Sequence, residues 1–191
     1  MSNKHHHFGG RTLARAQALQ LLFQAEATDR TVYEVLEGDY ALSQGPLDPF
    51  GEMLARGADD MRHELDAVIS ATSSNWSVSR MPSVDRNLLR LALYEMLEVD
   101  EVAIAVTIDE SVELAKAFGS EESPKFINGV LGRVASKMDK GVDVVAEAKR
   151  LEAERAAHED AEDDECEGAG VEARDEAAEA VGADDEGLGE E

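Results

Sequence analysis

Apolar positions recur at helical spacing along most of the chain. In "TLARAQALQLLFQAEA", residues 12–27, Leu19, Leu22 and Phe23 stand at i, i+3, i+4, which predicts a buried helix face, and Thr28-Asp29-Arg30 ends it. The short apolar run "VYEVL" follows, and then "SQGPLDP", where Gly45, Pro46 and Pro49 break any regular element. Phe50, Leu54, Met61, Leu65, Val68, Ile69 and Thr72 then predict one long amphipathic helix ending near Ser73. "NWSVSRMPS" is a connector with room for one helical turn. Ser83 is placed as an N-cap of the next helix, "VDRNLLRLALYEML", whose apolar residues fall on more than one side and make it central. Thr107 and Glu110 have capping-box spacing ahead of Val112, Ala115 and Phe118, with a start one turn earlier as the alternative. Gly119 is expected as a left-handed stop, and Ser123-Pro124 as the N-cap and first proline of a last core helix.

Beyond Lys140 the pattern weakens. Val144, Ala148 and Leu151 make a minimal stripe, enough for a helical extension over 139–157. Residues 158–191 hold almost no large apolar side chains and are expected to be a disordered acidic tail. The expected organisation is a flexible segment over 1–10, a helical domain over 11–138, the extension and the tail. Aromatic residues make up 5% of the 191 and prolines number 4, while Ala, Leu, Glu and Arg recur, so the fold class is all-α.

Charge changes the picture. The net charge is -24, and residues 141–191 supply -16 of it from 20 acidic and 4 basic side chains. Residues 1–140 are far less acidic, and their first basic residues, Lys4, Arg11 and Arg15, all precede the first acidic one, Glu26. The single cysteine, Cys166, excludes an intrachain disulfide or a Cys-rich zinc site. No run approaches the roughly 20 apolar residues of a membrane span, and the N-terminus lacks a signal-peptide core, so a cytoplasmic protein is expected. There is no Gly-rich phosphate loop, nucleophile elbow or His-Glu-x-x-His, and the adjacent His5, His6 and His7 have no metal-site spacing. Neither an enzyme nor a cofactor or metal is expected.

Cations gather instead around residues 112–137. Projected at about 100° per residue, Ile127, Val130, Leu131 and Val134 form the buried stripe of the last core helix, and Phe126, Arg133 and Lys137 lie along one flank. An aromatic ring beside two cations suits an unpaired base and its phosphates. The same pattern also suits a ring that widens the core, with rim cations lying over it. Arg11 and Arg15, at i, i+4, gather two guanidinium groups at one end of the first helix, where Arg15 is open both to packing and to anion binding.

Three stretches carry a family resemblance: "RTLARAQALQLLF" at 11–23, "PSVDRNLLRLALYEM" at 82–96, and "TIDESVELAKAFGSEESPKFINGVLGRV" at 107–134. Together they resemble the NusB family of transcription antitermination factors, over roughly residues 8–138. The resemblance implies a bundle of about seven helices in two packed three-helix units. It implies pairing with NusE, a small-subunit ribosomal protein, and binding of single-stranded boxA RNA in ribosomal RNA leaders. It further implies assembly with NusA, NusG and RNA polymerase. Lys125 and Phe126 match positions that meet RNA, with Arg11 and Arg15 across the same surface, and Lys4, Lys116, Arg133 and Lys137 complete the basic set. Phe23, Asp85, Arg86 and Arg90 match the region of the NusE contact, with Asp85 expected as an exposed first-turn carboxylate. "NKHHHFGG" departs from the family's denser run of opening arginines, which implies RNA binding that is weaker, or more pH-dependent, than the family norm. Alternatives are an adaptor or chaperone for the ribosomal protein without RNA binding, and the domain fused to ribosomal RNA methyltransferases, for which residues 139–191 leave no catalytic domain. The acidic tail is expected either to solubilise the chain or to compete with RNA as a tethered polyanion.

Overall fold

The computed structural model describes residues 7–73 and 77–157. They form helices α1 (Gly10–Thr28), α2 (Val32–Glu37), α3 (Pro49–Asp60), α4 (Arg62–Thr72), α5 (Ser83–Glu98), α6 (Ile104–Phe118) and α7 (Ser123–Met138), with a 3-10 turn at Val78–Arg80 in the connector. Helices α1, α2 and α3 pack on one another, α5, α6 and α7 form a second group, and α4 lies against α5 and α7. As its apolar pattern predicts, α5 is central, with Leu88, Leu89, Leu91, Ala92 and Leu93 all buried.

The first helix is built for close approach. Ala14, Ala18, Ala55 and Ala58 are buried without residue where α1 meets α3, and a Cβ on Gly51 would stand 2.5 Å from the Ala14 carbonyl oxygen. On another side of α1, Gln17, Gln20 and Gln24 hold the turn-rich loop. The Gln17 amide donates to the carbonyls of Gln44 (2.9 Å) and Pro46 (2.8 Å) and accepts from the Asp48 N–H (2.9 Å). Gln24 donates to the Ala41 carbonyl and accepts its N–H, both at 2.9 Å, and Gln20 bridges the Ser43 hydroxyl and N–H. Each side-chain amide thus satisfies loop backbone that has no strand to pair with.

Four local expectations are corrected. The long helix over 50–73 divides at Met61 (φ -94, ψ 14) into α3 and α4. The Asp59-Asp60 pair at that break holds α2: Asp59 accepts the Val32 N–H (2.7 Å) and an Arg62 guanidinium, and Asp60 accepts the Tyr33 hydroxyl (2.8 Å). Pro82 rather than Ser83 is the N-cap of α5, and α7 begins at Ser123, whose Oγ accepts the Ser120 N–H at 2.9 Å. Helix α6 takes the earlier of its two expected starts, a turn before Thr107, which is buried without a partner for its hydroxyl among the described residues. Gly119 is extended (φ -90, ψ -171), because the Ser123 side chain folds over it and the helix needs no left-handed residue to stop.

Past α7, residues 144–149 are helical and bury Val144 and Ala148, with Lys137 Nζ 2.5 Å from Glu147 Oε2 and Lys149 Nζ 3.2 Å from Glu64 Oε1. The chain divides into two units between Lys149 and Arg150. In the second, residues 150–157 are helical, and Arg150 pairs with Glu154 at 3.6 Å. Lys4, His5, His6, Cys166 and the whole stretch 158–191 lie outside the described residues.

Gly51→Ala should destabilise the protein by about 1–3 kcal/mol through overpacking, measured by urea unfolding. Helix propensity alone predicts a gain of up to about 1 kcal/mol, so the sign of the change reads the α1–α3 contact directly.

Candidate nucleic-acid interface

Two charge clusters fasten α1 to α5, and they account for a third of the cations expected at binding surfaces. Arg15 keeps only 4% of its side-chain surface and grips Glu95, which keeps 1%, with Nε and Nη2 at 2.7–3.1 Å; Nη1 reaches Glu110 at 3.4 Å. At the other end, Glu26 of α1 accepts from Arg86 and, at 2.8 Å, from Arg90, which also forks onto Asp66 with both bonds at 2.7 Å. Arg86 continues to the carbonyls of Val78 (2.8 Å) and Met81 (2.9 Å), so the connector is held by the same guanidinium. Burial by itself would raise the Glu26 pKa. Hydrogen bonds from Arg86 and Ser83 and the charges of Arg86 and Arg90 outweigh it and hold the carboxyl at about 2, against an ordinary 4.5.

These positions correct the sequence expectation. Arg15, Arg86 and Arg90 spend their donors inside the protein, each on a carboxylate of its own fold: Glu95 is fully buried, and Glu26 and Asp66 partly so. Arg11 is half-exposed, 3.4 Å from Glu101 and 4.8 Å over the Phe50 ring. Lys116 is exposed beside Glu113 at 2.5 Å, and Lys137 is half-buried against Glu147.

Lys125 and Arg133 differ from all of these: they are exposed and make no ion pair among the described residues. They lie with half-buried Phe126 on a groove of about 460 Å³ between the start of α5 and the α6–α7 joint, completed by Pro82, Asp85, Ser120, Glu122, Ser123 and Gly129. Asp85 is not the exposed carboxylate expected. It is 5% exposed and lines this groove. Arg11 is not part of the groove: its neighbour Glu101 and Arg15's partner Glu95 stand at the far end of α5, and ten residues of helix span about 15 Å.

A second groove, of about 400 Å³, is apolar. Leu19, Phe23, Val84 and Phe118 line it with Gln20, Gln24 and Ala41, and Phe23 and Phe118 stay 43% and 37% exposed. Phe8 packs its ring 6.0 Å from that of Phe118. Of the four residues assigned to a protein contact, only Phe23 presents its side chain there. The acidic partners Glu26, Asp66, Glu95 and Glu110 escaped the sequence reading; a carboxylate inside the apolar run "LYEML" was the available signal, since Glu95 could be buried only against a cation. Among the described residues no group of His, Cys, Asp and Glu could hold a metal, and no helix is long and apolar enough to cross a membrane.

The NusB family profile matches residues 12–136. The chain is 41% identical to transcription antitermination protein NusB of Bacillus subtilis over 129 residues, covering 68% of this chain and 97% of that protein. It is similar to the crystallised T. maritima NusB, with 36% identity, a TM-score of 0.58, and coverage of 69% of this chain and 94% of that one. It is also similar to a chain in a crystal structure of antitermination factors NusB and NusE in complex with double-stranded RNA, with 25% identity and a TM-score of 0.54, covering 65% and 94%.

The Glu26 cluster sets an acid dependence. With its pKa lowered on folding, Glu26 contributes stability that is complete above about pH 4.5 and is lost as pH falls toward about 2. Glu26→Gln should cost on the order of 1–2 kcal/mol at neutral pH, the shift being discounted for water that still reaches the carboxylate. Urea unfolding at several pH values should show the gap between wild type and variant constant above about pH 5 and closing below it.

Proposed function

The chain belongs to the NusB family, whose members are antitermination factors and not enzymes, and on that premise we propose that it pairs with NusE and binds single-stranded boxA-type RNA of ribosomal RNA leaders. In this reading the pair joins NusA, NusG and RNA polymerase in the antitermination complex. One observation carries it: in a chain of net charge -24, Lys125 and Arg133 make no ion pair among the described residues and line one groove with Phe126. The ring offers a stacking face and the cations take the flanking phosphates. Arg11 and Lys116 extend the basic track, each beside an exposed carboxylate that phosphate can displace. Arg15 supports the site from inside by fixing α1, and Lys137 becomes available only when Glu147 gives it up.

NusE takes the apolar groove. Exposed Phe23 and Phe118 beside Leu19 and Val84 make a patch suited to a protein partner rather than to phosphate. A NusB and NusE complex with RNA among the similar structures supports the pairing. Arg86 and Arg90 serve this surface indirectly, by anchoring the start of α5 from which Val84 projects.

RNA binding by the full chain with NusE should weaken with salt, with a log–log slope of about -0.7 per phosphate neutralised, and Lys125→Ala or Arg133→Ala should each shallow it. Phe126→Ala should cost about 1–3 kcal/mol of RNA affinity with the slope unchanged. Unaltered affinity in all three variants would place the RNA elsewhere.

Phe23→Asp should weaken NusE binding at least tenfold, roughly the cost of charging an apolar contact, and leave the thermal midpoint nearly unmoved because the ring is already exposed. A fall in the midpoint with NusE affinity intact would assign Phe23 to the core.

A further inference from the structure

The Lys125–Phe126–Arg133 groove contains an acceptor that the fold does not use. Asp85 is 95% buried, and its Oδ1 has no hydrogen-bond partner among the described residues. Its position explains why. Asp85 is the third residue of α5, from which a carboxylate ordinarily turns back to accept the N-cap N–H, but the N-cap is Pro82, which has none. The nearest cations on the same helix are committed elsewhere: Arg86 to Glu26, Val78 and Met81, and Arg90 to Glu26, Asn87 and Asp66. A buried carboxylate oxygen without a donor is destabilising, so its place in a groove wall points to a donor brought by a ligand.

We propose that Asp85 reads the nucleobase that stacks on Phe126, accepting hydrogen bonds from its Watson–Crick edge and selecting guanine over uracil. The chemistry follows from what each base presents. Guanine offers adjacent N1–H and N2 amine donors that match the two oxygens of one carboxylate. Uracil offers a single N3–H between two carbonyl oxygens, which a carboxylate repels. The cations on the groove hold phosphate and are indifferent to sequence, and the ring accepts any base; of the two carboxylates on the groove, Glu122 is exposed and solvated, so buried Asp85 is the one able to discriminate strongly. This specificity rests on the RNA-binding reading above.

The test uses the full chain with NusE and single-stranded oligoribonucleotides of one length, either all uridine or with one guanosine moved through each position. Fluorescence anisotropy at fixed salt reports affinity. For wild type, the best guanosine register should bind on the order of tenfold tighter than oligouridine, the scale of a hydrogen bond to a charged acceptor. Asp85→Asn and Asp85→Ala should each erase that preference while oligouridine affinity stays within about twofold, with a thermal midpoint equal to or above wild type, because an unpaired buried charge has gone. A preference that survives in both variants overturns the proposal, as does a wild-type chain that binds all the oligonucleotides equally. Loss of NusE affinity with the base preference intact would assign the carboxylate to the protein partner and overturns it too. Failure of the RNA-binding reading is distinguishable: Phe126→Ala would then leave affinity for every oligonucleotide unchanged.

Discussion

Helices α1 and α5 run antiparallel with their paired charges in matching order. Along α1 the order is Arg15 and then Glu26; along α5 it is Arg86 and Arg90 and then Glu95. Antiparallel packing sets cation on carboxylate at both ends, about three helical turns apart, whereas parallel packing would set like on like. A slip of one turn would break the buried Arg15–Glu95 pair at a cost of about 3–5 kcal/mol and unpair the partly exposed Glu26 at a smaller one. The pairs contribute more to register than to net stability, since desolvation offsets most of their Coulombic attraction. Everything else hangs from this register. The α2–α3 layer rests on α1, the α6–α7 pair rests on α5, and the connector is drawn down through Arg86.

The same constraint sorts the basic residues into two populations. Cations on the α1–α5 seam are neutralised inside, and cations at the α6–α7 joint are left to the solvent. A strongly acidic chain thereby keeps a local positive surface without a positive total, because Lys125 and Arg133 make no ion pair among the described residues. The stretch past the family match moderates that surface: Glu147, on a helix seated by Val144 and Ala148, neutralises Lys137 one turn beyond Arg133.

Helical periodicity made α1, α5 and α7 readable within about a residue or two of their observed ends, because α1 and α7 each bury a continuous stripe and α5 is apolar along its whole length between clear end signals. The division at Met61 was not readable. No proline or glycine marks it, and its cause is a tertiary contact in which Asp59 and Asp60 hold α2. Phe126 and its neighbouring cations were legible as a flank of α7. Whether an arginine faces water or a buried carboxylate was not, since the partners of Arg15 stand 80 and 95 residues away. Asp85 misled for a related reason: its place in the first turn suggested exposure, and only the fold reveals that the α6–α7 joint covers it.

The three glutamines that clamp the loop to α1 have a consequence for how a complex would come apart. Their amides carry no charge, so neither added salt nor acid weakens the attachment that places Ala41 beside Phe23, Gln20 and Gln24. The apolar groove therefore keeps its shape across ionic strengths at which contacts to phosphate fade. Rising salt would strip nucleic acid from the protein first and leave the protein–protein half assembled, so that the order of disassembly is written into the choice of amide over carboxylate on one face of one helix.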